Sequence, residues 1–153
     1  MPEAAAALSI RKSITVRVPM EDAFRAFTAE MGEWWPLAVK SVAMEKAETV
    51  VVEPSVGGRV YEREQGGIEH PWGEVLVWES PSRFSFSWHP GRATETAQTV
   101  DVRFTPVAEG TRVELEHRGW ESLVGIDGEI PDHFESGWDE ALASYVALAE
   151  SSR

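Results

Sequence analysis

Apolar and polar residues alternate from Leu8 to Val18, where Ile10, Ile14, Val16 and Val18 recur at period two, the signature of a half-buried strand. Pro19 closes that strand. From Met20 to Met31 the period changes, because Ala23, Phe24, Phe27 and Met31 fall at helical spacing and Glu21 and Asp22 sit where a helix N-terminus favours acids. A short amphipathic helix is expected there, stopped by Gly32, with Trp34 and Trp35 in a turn or single helical turn before Pro36. Segments 48–53, 58–65, 72–79, 83–89, 98–106 and 110–118 are rich in Val, Phe, Trp and Thr and read as consecutive strands. Their separators are short and carry Gly or Pro, as hairpins of a meander require, so neighbours run antiparallel. Between Pro131 and Ser151 the helical period returns: Phe134, Trp138, Leu142, Tyr145 and Leu148 or Ala149 share one face. One strand, a helix, six strands and a long helix predict an α+β domain, a curved antiparallel sheet with its helices on one face. No repeat and no boundary divides the chain, so residues 1–153 are expected to form a single domain.

Strand phase sorts the side chains further. Phe84, Phe86 and Trp88 share a side, as do Val100, Val102 and Phe104, and Val113, Leu115 and His117; these sides face the helix. The opposite sides carry Ser85, Ser87, Asp101, Arg103, Arg112, Glu114, Glu116 and Arg118, a solvated face with cross-strand ion pairs. The strand 72–79 stays ambiguous, because Trp72, Leu76 and Trp78 take one phase and Val75 and Val77 the other. If Trp72 and Trp78 point outward they form an exposed apolar patch suited to a partner or a second copy.

Seven tryptophans in 153 residues supply broad, rigid apolar surfaces, each with one N–H donor. Trp34, Trp35, Tyr61, Trp88, His117, Phe134 and Trp138 are the candidates to line an apolar pocket. Trp34 and Trp35 belong to its rim, Trp88 and His117 to the sheet wall, Phe134 and Trp138 to the helix wall. His117 has three readings: a hydrogen-bonded core residue, a polar anchor in the pocket wall, or a general base. Gly137, just before Trp138, suggests a close approach of the last helix. The other histidines lack zinc-site spacing, and no phosphate loop, nucleophile elbow or metalloprotease motif occurs, so neither a metal nor a cofactor is expected.

Composition narrows the partners. Twenty-six acidic against fourteen basic residues give a net charge of -12, which opposes nucleic acid and anionic lipid. The apolar runs are too short for a bilayer, no signal peptide is legible, and zero cysteines exclude thiol chemistry, so a cytoplasmic protein is expected.

The string Trp72-Gly73-Glu74-Val75-Leu76, then Pro81-x-Arg83-Phe84-x-Phe86-x-Trp88, Val100 to Phe104, Gly110-Thr111-x-Val113-x-Leu115-x-His117 and finally Gly137-Trp138 resembles the activator of heat-shock protein 90 ATPase homologue family. That family belongs to the START-related, SRPBCC or Bet v-like superfamily. The resemblance implies a helix-grip fold, with a cavity between the sheet and the C-terminal helix. It covers nearly the whole chain, but only the part corresponding to the C-terminal domain of the eukaryotic co-chaperone. Three functions follow as expectations: binding of a small hydrophobic or aromatic molecule, association with a chaperone or a homodimer partner, or cyclase- or hydrolase-type catalysis in the cavity.

Overall fold

The computed structural model describes residues 9–36, 42–89, 98–119 and 132–151, with the side chains of 132–135 outside the description. The elements run β1 (Ser9–Val16), α1 (Met20–Thr28), α2 (Met31–Trp34), a 3₁₀ turn (Met44–Lys46), β2 (Ala47–Val52), β3 (Arg59–Glu64), β4 (Glu69–Glu79), β5 (Arg83–Trp88), β6 (Gln98–Val107), β7 (Gly110–Arg118) and α3 (Asp132–Glu150). The seven strands form one antiparallel sheet in the order β1-β7-β6-β5-β4-β3-β2. Strands β2 to β7 are a meander, and β1 closes onto β7. This is the helix-grip architecture, in which the curled sheet holds α3.

The side expected to face the helix does so on β5, β6 and β7: Phe84, Phe86, Trp88, Val100, Val102, Phe104, Val113, Leu115 and His117 are all buried. On α3 the buried set is Trp138, Ala141, Leu142, Tyr145 and Ala149, while Leu148 is only half-buried. The Tyr145 hydroxyl donates to the Ala23 carbonyl at 2.8 Å, tying α3 to α1. Lys12 pairs with Asp139 at 3.0 Å, tying α3 to the edge strand.

The helix expected from Met20 to Met31 ends at Thr28, and the turn expected before Pro36 is a separate helical turn, α2. The buried Thr28 hydroxyl donates to the Phe24 carbonyl at 2.8 Å, and α1 ends there, a local bond that competes with helix continuation. Gly32 is not a stop but part of α2. A Cβ there would lie 1.9 Å from Thr49 Oγ1 and 3.0 Å from the Val50 backbone, so glycine lets α2 sit directly on β2. That seat brings the consecutive Trp34 and Trp35 under the sheet.

Strand β4 departs from period two at both edges. Val60 pairs with Gly73 and Tyr61 with Pro71, which leaves Trp72 as an extra residue; Val75 pairs with Phe86 and Val77 with Ser85, which leaves Leu76 as another. Two bulges convert the inward spacing from two to three, so Trp72, Val75 and Trp78 all turn toward the core and Leu76 turns out. Of the two faces left open for this strand, the one with Trp72 and Trp78 is inner, so the proposed partner surface at these two residues is corrected. Trp72 is fully buried, and the half-buried Trp78 packs edge-on against Phe24 and Phe84 at 5.1 and 5.7 Å.

The convex face carries the expected ion pairs, with one addition. Asp101 is buried beneath Arg83, Arg103 and Arg118, at 2.9, 3.3 and 3.7 Å. The Asp101 carboxylate, by hydrogen bond and charge, holds the Arg83 guanidinium above its ordinary range.

Candidate functional site

Where α2, the middle of the sheet and the start of α3 converge, four indoles form a continuous cluster. Trp35 lies 5.0 Å from Trp72, 5.6 Å from Trp88 and 5.8 Å from Trp138, centroid to centroid, all edge-on. Trp72 and Trp88 are 5.2 Å apart, and Trp88 and Trp138 5.4 Å. Edge-to-face contacts of this kind add to the apolar burial of each ring. The imidazole of His117 meets Trp88 at 5.4 Å and Trp138 at 6.0 Å, so sheet wall and helix wall touch through it.

Three of the indole donors at the cluster have partners. Trp138 Nε1 donates to His117 Nδ1 at 2.9 Å. An indole N–H is a donor only, so Nδ1 accepts and the imidazole proton sits on Nε2, which faces Gln98 Oε1 at 3.2 Å. Burial pushes the His117 imidazole down to about 3, so it is neutral at physiological pH. With its lone pair accepting from Trp138, His117 is a hydrogen-bonded buried residue rather than a free base. Trp34 Nε1 donates to the Ala26 carbonyl at 2.9 Å, and Trp72 Nε1 donates to Glu62 Oε1 at 3.0 Å. Trp35 is the exception: it is 6% exposed, and among the described residues its Nε1 has no hydrogen-bond partner.

Glu62 was not expected in the site. It is fully buried, and its carboxylate accepts the Val42 and Ala43 backbone N–H groups at 2.7 and 2.6 Å besides the Trp72 indole. Three donors replace the water that a buried carboxylate would otherwise lose. It shares its strand phase with the buried Val60 on β3, which is the sequence signal for it.

The expected lining residues separate accordingly. Trp35, Trp88, His117 and Trp138 come together. Trp34 adjoins them at 5.9 Å from Trp35, but its other neighbours are Phe27 and Tyr145, so it is core rather than rim. Tyr61 is not in the cluster: it pairs with Val51, opposite in phase to Val60 and Glu62, and the Arg59 guanidinium stacks over its ring at 4.4 Å. The Phe134 side chain lies outside the described residues. Trp72, expected as a partner surface, is instead buried in the indole cluster. Grooves between described residues lie at the periphery, one of about 340 Å³ beside Phe24, Val52 and Trp78 and one of about 200 Å³ between β1 and α3. Among the described residues no group of three or more His, Asp or Glu is placed to hold a metal, and no helix is long and apolar enough to cross a membrane.

Residues 17–150 match the family model described as activator of Hsp90 ATPase homolog 1-like protein. The chain belongs to this family. The solved structures agree on the START-like helix-grip fold. An AHSA1-like protein from Aeromonas hydrophila is 20% identical, with a TM-score of 0.64 over 94% of this chain and 93% of its own. The Aha1 dimer from Colwellia psychrerythraea is 16% identical, with a TM-score of 0.67 over 93% and 96%. An anthrahydroquinone-γ-pyrone synthase, Txn09, solved as a complex, is 28% identical, with a TM-score of 0.60 over 92% and 96%. No curated protein matches the sequence.

Proposed function

We propose that this AHSA1-like protein binds a small, largely apolar aromatic molecule between its sheet and α3. The observation that carries the reading is the convergence of Trp35, Trp72, Trp88 and Trp138 from four different elements on one point. Large rigid rings packed edge-on between two layers give a flat ligand an apolar surface to lie against, with few polar groups to orient it. The helix-grip fold and the likeness to Txn09, which was solved as a complex, support the same reading.

Catalysis is the weaker reading, because His117, the imidazole that meets the cluster among the described residues, has both nitrogens engaged by Trp138 and Gln98. Association with a chaperone would need a surface other than Trp72 and Trp78, and the Colwellia relative keeps a homodimer in view as the simplest partner. A cytoplasmic setting suits a chain without cysteine.

Native mass spectrometry of the purified protein, with tryptophan-fluorescence titration against fatty acids, flavonoids and polyketide-like aromatics, tests the proposal. Saturable quenching by the aromatic compounds, or a co-purified mass, is the expected result. Silence across the panel would overturn it.

A further inference from the structure

Resting on that reading, the unmatched indole N–H of Trp35 carries a statement about the ligand's chemistry. Trp35 is 6% exposed and touches Trp34, Trp72, Trp88 and Trp138, so its Nε1 is shut off from bulk solvent. Among the described residues it is the buried side-chain donor without an acceptor. The other indole donors of known partner are already committed: Trp34 to Ala26, Trp72 to Glu62, Trp138 to His117. A buried donor left unmatched is unfavourable, a cost that an occupant bearing an acceptor removes.

The same surroundings define what kind of acceptor. His117 is neutral and its Nδ1 already accepts, so it neither pairs with an anion nor takes a proton from a ligand hydroxyl. The nearby Glu62 is an acceptor whose oxygens are already taken by Trp72, Val42 and Ala43, so it offers a ligand no donor. A carboxylate ligand would meet a protein of net charge -12, which opposes it. We infer that the occupant is a neutral fused-ring carbonyl compound, a ketone or quinone type, whose oxygen accepts from Trp35 Nε1 while its rings stack on the neighbouring indoles.

9-Fluorenone and fluorene share one ring skeleton and differ by the carbonyl, which makes them the probes. The full chain is expected to bind fluorenone roughly three- to tenfold more tightly than fluorene, as one neutral hydrogen bond gives, and fluorene-9-carboxylate more weakly than either. In Trp35→Phe, which keeps a ring but no N–H, the fluorenone-to-fluorene ratio falls to about one. Should that variant not fold, the indole N–H resonance of Trp35 in the natural protein gives the same answer, moving downfield with fluorenone and not with fluorene. Equal binding of the two compounds to the natural protein, with no such downfield movement, would overturn the carbonyl inference while leaving an apolar site in place. No binding of either would overturn the site as well.

Discussion

Trp138 on α3 donates its indole N–H to His117 on β7 across 2.9 Å, so helix and sheet are joined by a bond that exists only while the imidazole is neutral. Protonating Nδ1 would set two donors against each other. Between about 3, where burial holds the folded imidazole, and its ordinary 6.5, the unfolded chain binds a proton that the folded one refuses. Stability contributed by this site is therefore full above about 6.5, falls as pH drops below it, and stops falling near 3. His117→Gln, which keeps an acceptor for Trp138 but does not titrate in this range, should flatten the pH dependence of urea unfolding between pH 6.5 and 4.5 relative to the natural protein. An unchanged slope would mean that the site does not refuse the proton.

Glu62 makes a second, separable prediction. Glu62→Gln turns one of two accepting oxygens into a donor facing Val42, Ala43 or Trp72, and should cost about 1–3 kcal/mol in urea unfolding. Amide exchange at Val42 and Ala43 should accelerate with it. Stability preserved within a few tenths of a kcal/mol would show that the carboxylate is not holding these donors.

Gly73 tests the bulged strand. A Cβ there would lie 1.7 Å from the Ser87 carbonyl oxygen, a backbone atom that cannot move without breaking the β4–β5 ladder. Gly73→Ala is expected to destabilise the protein by at least about 2 kcal/mol in the same assay. Neutrality would mean that β4 and β5 can separate there without cost.

On the convex face, Asp101 compensates three arginines. Asp101→Asn should destabilise the fold by roughly 1–3 kcal/mol and make the remainder more sensitive to added salt, since the crowded guanidiniums are then left to repel. An Asp101→Asn effect that adds independently to that of Arg83→Gln in a double-mutant cycle would contradict the coupling.

The legible and illegible parts of this molecule divide along physical lines. Period two on β5, β6 and β7 places Phe84, Val102 and His117 correctly because those strands pair without interruption. On β4 the same rule fails, since bulges at Trp72 and Leu76 are set by pairing with neighbours and leave no mark in local periodicity. On β3 burial does not alternate: Val60, Tyr61 and Glu62 are all buried, and Glu62 is held inside by the Val42, Ala43 and Trp72 donors against the general preference for exposed carboxylates. That Trp34 and Trp35 flank the sheet, rather than occupy a rim, depends on Gly32 seating α2 against β2, a long-range contact. The lone donor of Trp35 emerges only when every neighbour's partner is known.

The central claim, that a small aromatic molecule occupies the indole cluster, is tested most directly by following the tryptophan indole resonances while a fused-ring aromatic compound is titrated in. Saturable shifts at Trp35, Trp72, Trp88 and Trp138, with Trp78 unmoved, are the predicted result. Shifts confined to Trp78, beside the peripheral groove, or no shift at all, would contradict it.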